Sequence, residues 1–302
     1  MRTLILESTT PKSAFGAPSS EHVNQWRETW RRFRRRRSAV LGLTILLLLA
    51  VLAIAAPLLS AQDPTKQQLS RVLRPPSLEY PLGTDYLGRD IFTRLLYGAR
   101  LSLLIGFFAV MIGLIVGLPL GAVSGYYGGW ADLIIQRFAD ILLSFPGFLL
   151  ALSLAAILGI GLQNVIISVG ISAIPSFIRL VRGSVLTIRE LTYVEAARSV
   201  GVRNRSIILR HVLPNAMTPV IVQATLNLGT AILTAAGLGF LGLGVQPPTP
   251  EWGSMLGEGR NYIFSNPNMA TFPGIAIFFA VLGFNLMGDG LRDALDPRLK
   301  HF

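Results

Sequence analysis

Ionisable side chains are sparse wherever this chain is apolar, and that scarcity narrows the chemistry open to it. The three histidines, His22, His211 and His301, fall in polar segments, and Asp140 and Asp289 stand at the ends of apolar stretches rather than at their centres. Charged groups at bilayer depth are costly and mark ion relays or catalytic sites. A proton-coupled carrier needs a carboxylate or histidine relay, and an intramembrane serine protease needs a base beside its nucleophile; neither has candidates here. The absence of cysteine excludes a thiolate metal site, a cysteine nucleophile and a disulfide scaffold. No Gly-x-x-x-x-Gly-Lys-Ser/Thr phosphate loop occurs either, so the chain lacks that nucleotide-binding motif. The expectation is a protein with no catalytic residue, no metal site and no cofactor of its own.

Weakly polar groups are the remaining means of handling a solute inside the membrane. Ser144, Ser176, Gln223, Asn227, Thr230 and Asn285 are candidates for lining a wet pathway, with Ser153, Ser168, Ser172 and Thr234 beside them. The competing role for each is a bond to its own backbone or to a neighbouring helix. Gly113, Gly117, Gly121 and Gly125 form an every-fourth glycine ridge, which lets another helix backbone approach closely. Pro119, Pro146 and Pro175 invite kinks in three successive apolar stretches.

A further segment, Leu191 to Asn215, has a pattern of its own. Tyr193 to Val200 reads as a short helix with Val194, Ala197 and Val200 among its apolar or small positions, and Gly201 permits the chain to leave it through positive φ. A second helix is expected to begin with Asn204 as cap and to stop near Pro214. Small Ala196 and Ala197 make the first helix a slim knob suited to a groove on another protein, with Glu195 and several arginines at its rim.

These segments need a bilayer to position them. The 302 residues are 51% hydrophobic and 14% charged, against about 25% charged in an ordinary soluble domain. Mean hydropathy is +0.54 and the net charge +11. Six spans are expected: Val40 to Ser60, Leu101 to about Val123, Ile141 to Gly161, Val165 to Ile178, about Val220 to Leu243, and about Phe272 to Met287. The chain then divides into a basic tail (1–39), a first transmembrane anchor (40–60), an extracytoplasmic loop (61–100) and a five-helix core (101–302) carrying a cytoplasmic loop at 189–215. With both termini inside, twenty of the 27 Lys+Arg lie on the cytoplasmic side and seven outside. Six of those seven crowd the first outer connection (Lys66, Arg71, Arg74, Arg89, Arg94, Arg100), offset in part by Asp63, Glu79, Asp85 and Asp90. The 21-residue first span is too long for a cleaved signal and reads as an uncleaved anchor.

In the tail, Val23, Trp26, Trp30 and Phe33 share one helical face, with Arg27, Arg31, Arg34 and Arg35 around it. That pattern describes an interfacial helix lying on anionic membrane lipids; a basic run abutting a span sets topology, and nucleic acid is not expected as a partner. In the outer loop, Gly83, Asp85 and Gly88 are turn formers and Asp90 is a cap for the second span. Thr249, Pro250 and Glu251 read as cap, first-turn proline and dipole-favoured acid of a short outer helix, with Trp252 at interfacial depth.

The loop resembles the EAA loop of ABC importer permeases, whose spacing is matched by Glu195, Ala196, Ala197, Gly201, Ile207, Leu213 and Pro214. Three further stretches, Leu82 to Arg100, Leu241 to Gly253 and Gly288 to Arg298, resemble the C-type permease subunit of dipeptide, oligopeptide, nickel and glutathione importers. The resemblance implies an all-α integral membrane protein of six transmembrane helices with the type I importer permease fold, in a bacterial cell membrane. It implies that the EAA loop is the coupling helix that docks into the ATPase. It also implies the partners: a second, B-type permease, two cytoplasmic ABC ATPases that bind ATP and Mg, and an extracytoplasmic solute-binding protein facing the outer elements. Asp289, Arg292, Asp293 and Asp296 could pair with one another or with an ATPase.

Overall fold

The computed structural model describes residues 25–295, with side chains from residue 29. His22, Val23, Asp296, Arg298 and His301 lie outside the described residues, as do the side chains of Trp26 and Arg27. The chain forms helices α1 (Gln25–Arg35), α2 (Arg37–Leu59), α3 (Ile91–Tyr127), α4 (Gly129–Leu143), α5 (Gly147–Leu158), α6 (Leu162–Arg189), α7 (Thr192–Ser199), α8 (Asn204–Ile207), α9 (Leu213–Phe240), α10 (Trp252–Gly259) and α11 (Asn268–Leu295). Among the described residues there is no strand, only an isolated bridge between Thr84 and Asp90.

Five helical stretches are long and apolar enough to cross a membrane: α2, α3, α6, the run from α8 through α9, and α11. The third expected span, Ile141 to Gly161, is not one helix. Its residues belong to α4 and α5, which meet at an 87° bend. Pro146 is the reason: it has no N–H to continue the ladder and drives Phe145 out of the helical region. The pair still runs from one end of the bundle to the other. Asp132 of α4 grips Arg182 near the end of α6, whereas Asn164 at the start of α6 bonds the carbonyls of Leu158 and Gly159 that close α5. The two helices thus act as a broken sixth span.

Other boundaries shift for physical reasons. Residues 91–100 are helix rather than loop, because the Asp90 carboxylate accepts the Thr93 N–H (2.9 Å) and starts α3 ten residues before its apolar run. At 37 residues α3 is roughly 55 Å long, well beyond the hydrocarbon. The short fourth span is the middle of the 28-residue α6.

The glycine ridge of α3 lies against α6. A Cβ at Gly117 would stand 2.5 Å from Phe177 Cβ, at Gly121 2.7 Å from the Ile178 carbonyl and at Gly125 2.8 Å from that of Arg182. At Gly113 it would meet Ala173 and Phe177. Only hydrogen fits at Gly117, Gly121 and Gly125, and the two backbones close on each other there as dispersion-driven packing in lipid requires. Around this pair, Ile105, Val110, Ala151, Val169, Phe177 and Leu238 form a core shared by α3, α5, α6 and α9.

The remaining contacts define two ends of the bundle. At one lie α7, α1 and the end of α11, with Phe33 buried between Ala39 and Ala294 and Trp30 stacked on it at 5.7 Å but 52% exposed. At the other lie the 61–90 segment and α10.

Candidate functional site

The segment between α6 and α9 is built around one buried side chain. Val194, fully enclosed by Tyr126, Val185, Ile207 and Val212, is the sole buried residue of α7 and roots that helix in the bundle. Glu195 and Ala196 consequently face outward, and Ala197 is half-buried. The helix ends in a Schellman motif: the Val202 N–H donates to the Ala197 carbonyl (3.1 Å) and the Gly201 N–H to that of Arg198 (3.0 Å). Gly201 sits at φ +79° with nothing within 4 Å of a Cβ placed there. Its backbone therefore favours glycine while the surrounding space is open, as is Val200 beside it, 79% exposed.

The helix expected to stop near Pro214 does not stop. From Asn204 the chain passes through a π turn at Ile208–Val212, where the Leu213 N–H reaches back five residues to Ile208, and continues as α9. The wide turn accommodates Pro214 in the first turn of α9, and the Asn215 side chain takes the loosened His211 carbonyl at 2.7 Å. Nor does Asn204 cap a helix: Arg203 holds the cap position, and the Asn204 Oδ1 accepts the Tyr126 hydroxyl at 3.0 Å.

Side-chain contacts tie α7 to two spanning helices, and α6 to one of them. The Tyr193 hydroxyl accepts from Asn215 Nδ2 (3.0 Å) at the head of α9, and Arg198 lies 5.8 Å above the Tyr126 ring at the foot of α3. Arg189 at the end of α6 donates to the Gly125 carbonyl of α3 at 2.8 Å. Asp132 receives both Nε and Nη2 of Arg182 at 2.6 and 2.7 Å and the Ser124 hydroxyl at 2.5 Å, bracing α4 against α6 and α3. Of the seven matched loop positions, Ile207 is buried and Leu213 half-buried, whereas Glu195, Ala196, Gly201 and Pro214 are exposed.

The six candidate pathway residues are distributed over three helices and the bend. Gln223 and Asn227 come together on α9, Gln223 Nε2 donating to Asn227 Oδ1 at 3.1 Å. Gln223 also lines a cavity of about 380 Å³ with Leu180, Thr218, Val222, Leu226 and Arg292. Thr230, Asn285 and Ser176 are exposed on α9, α11 and α6. Ser144 sits exposed at the α4–α5 bend and donates to the Ile141 carbonyl of its own helix.

At the opposite end of the bundle lies a buried ion cluster that the sequence did not disclose. Arg89 Nε donates to Asp85 at 2.6 Å, and Arg94 Nη2 to Glu258 of α10 at 2.9 Å, with both arginine side chains at most 1% exposed. Arg89 Nη2 also reaches Glu258 at 3.2 Å. Burial works against the Arg89 charge, yet Asp85 and Glu258 outweigh it and hold that guanidinium above its ordinary value. The Tyr86 hydroxyl is pushed up by burial and by the Glu258 carboxylate, to which it donates. Asp85 and Arg89 are visible as an i, i+4 pair, but Glu258 is 164 residues from Arg94 and carries no local signal.

The short helix α10 also begins differently from its expected start. Glu251, not Thr249, is the cap: its carboxylate accepts Gly253 N and Ser254 N, each at 2.8 Å, and Ser102 Oγ of α3 at 2.9 Å. Burial pushes this carboxyl above its ordinary range, against the pull of those donors. Trp252 is not interfacial but 1% exposed, its indole N–H bonded to the Leu95 carbonyl.

Five of the six cations of the 61–100 segment are thus engaged within the fold: Arg71 on Glu79 at 2.7 Å, Arg89 and Arg94 in the cluster, and Arg74 and Arg100 on backbone carbonyls.

Known proteins match along nearly the whole chain. Residues 117–301 fit the model of the binding-protein-dependent transport system inner membrane component, and residues 24–76 that of the N-terminal TM domain of oligopeptide transport permease C. The dipeptide transport system permease protein DppC of Alkalihalophilus pseudofirmus is 50% identical over 293 residues, 96% of each chain. The glutathione transport system permease protein GsiD of Pectobacterium atrosepticum is 50% identical over 276 residues, 91% of this chain and 92% of that one. Among solved structures, an inward-facing MetNI methionine ABC transporter aligns at TM-score 0.55 and 24% identity, covering 67% of this chain and 97% of its own, which places the fold with the type I importer permeases. An all-helical bundle with a rooted EAA-like loop, matched by two family models and by relatives at half identity, makes this chain a multi-pass member of the binding-protein-dependent ABC importer permeases, C-type branch.

Proposed function

We propose that this chain is the C-type permease subunit of an ATP-driven importer of dipeptides and oligopeptides. The observation that carries the reading is the division of α7, rooted by Val194 and held to α3 and α9 on one side while Glu195, Ala196 and Gly201 stand free on the other. The chain itself performs no catalysis. ATP and Mg are bound by two cytoplasmic ATPases, a B-type permease completes the pathway, and an extracytoplasmic binding protein delivers solute against the α10 end. Both termini are cytoplasmic in a bacterial cell membrane. Closure of the ATPases on ATP displaces α7, and the Tyr193–Asn215 and Tyr126–Asn204 bonds pass that displacement to α9 and α3, switching the pathway between inward and outward facing. Ser144, Ser176, Gln223, Asn227, Thr230 and Asn285 are its proposed wall.

Relatives at the same 50% identity carry glutathione in their names, which favours glutathione, itself a peptide, as the second reading. Competition separates the two. Uptake of a labelled dipeptide by cells carrying the complete transporter is expected to require ATP and to be suppressed by unlabelled di- and oligopeptides more than by glutathione or nickel. Suppression by glutathione ahead of every other peptide moves the substrate to glutathione. ATP-driven uptake of nickel with none of any peptide contradicts the peptide assignment.

A further inference from the structure

The first anchor has an internal proline that opens its backbone, and one side chain from the core closes it. Pro57 lies inside α2 and has no N–H to give to the carbonyl of Ala53, four residues earlier. In a membrane-spanning helix such a carbonyl has no water to turn to and needs a partner from a neighbouring helix. Arg100 of α3 supplies it: its Nε donates to the Ala53 carbonyl at 2.5 Å and its Nη2 to the Ile54 carbonyl at 3.0 Å. The guanidinium is held in turn over the Tyr97 ring, 5.2 Å from its centroid.

One turn beyond the proline, the Ser60 hydroxyl meets Thr93 of α3 at 2.5 Å, so the two helices are joined by polar contacts at this end. The other end of α2 is joined to a different helix: a Cβ at Gly42 would stand 2.7 Å from the Gly283 carbonyl, and one at Gly290 would stand 2.2 Å from Ala39 Cβ. Between these ends α2 packs Leu49 and Ala53 into the core and leaves its other face, with Leu47, Leu48, Val51, Ile54 and Leu58, exposed.

We propose that Pro57 and Arg100 are a matched pair, the arginine standing in for the N–H the proline lacks. Arg100 is then a positioning residue that fixes α2 as a strap between the start of α3 and the end of α11. An ammonium cannot replace it fully, because the fork of one guanidinium serves two adjacent carbonyls.

The chain has no cysteine, so a reporter pair can be installed without background. Ser60→Cys with Thr93→Cys reports α2–α3 closeness by its rate of oxidative cross-linking in the assembled transporter. Arg100→Leu is expected to slow cross-linking at least about fivefold and Arg100→Lys by less. In a Pro57→Ala background, where residue 57 regains its N–H, Arg100→Leu is expected to change the rate by no more than about twofold. An equal loss in both backgrounds, or no loss from Arg100→Leu, overturns the pairing. Should Arg100→Leu alone fail to insert, recovery of the protein in membranes on adding Pro57→Ala supports it, and failure of both variants contradicts it.

Discussion

Gly201→Trp is expected to leave the protein inserted and assembled while cutting solute uptake at least about tenfold, with ATP hydrolysis no longer responsive to solute. The magnitude follows from what the residue touches and what it does not. A Cβ at this position meets nothing within 4 Å, and the neighbouring Val200 is 79% exposed, so the side chain starts from open space at the surface. The backbone at φ +79° adds strain of about 1 kcal/mol, too little to unfold the bundle. The bulk projects instead from the exposed side of α7, the surface that the proposed coupling role gives to an ATPase groove over Glu195 and Ala196. Gly201→Ala separates strain from bulk: it imposes the same backbone penalty without the ring and is expected to retain most uptake. Paired measurement of uptake and solute-stimulated ATPase activity in proteoliposomes checks both variants. Unchanged coupling in the tryptophan variant contradicts the role given to α7.

The second large effect lies at the opposite end of the bundle. Glu258→Leu removes the carboxylate that receives Arg94, Arg89 and the Tyr86 hydroxyl, leaving Asp85 as the only anion beside two arginines at most 1% exposed. Stranding buried charge in this way costs about 3–5 kcal/mol, far more than losing a surface pair such as Arg179–Asp140. Thermal unfolding of the purified transporter is expected to show a large drop in Tm for Glu258→Leu, a smaller one for Glu258→Gln, which keeps an acceptor, and little change for Asp140→Asn. A Glu258→Leu protein as stable as the parent contradicts a structural role for the cluster.

What the sequence disclosed and what it hid divide along local and distant causes. Asp90, Gly201 and the glycines of α3 act through neighbours one to four residues away or through a regular helical period, and their spacing alone points to a cap, a helix exit and a packed face. Pro214 misleads because its usual effect, ending a helix, is cancelled by the π turn that widens the chain just before it. Pro146 acts more strongly than a kink and turns the span through 87°. Glu251 and Trp252 are placed by Ser102 and Leu95 of α3, about 150 residues away, so neither the cap nor the burial of the indole can be read from the residues beside them. Arg100 looks like one more outer cation until Pro57 gives it a partner.

The segregation of α7, rooted inward and bare outward, carries the proposal that the motive force of this permease enters from another protein through that surface. Isolation of the tagged chain from its native membrane under mild extraction, with identification of every accompanying subunit, tests this most directly. A second permease together with one or two ATPases carrying phosphate loops is the predicted result. Recovery of the chain alone or as a homodimer, under conditions that preserve other multi-subunit transporters, would contradict it.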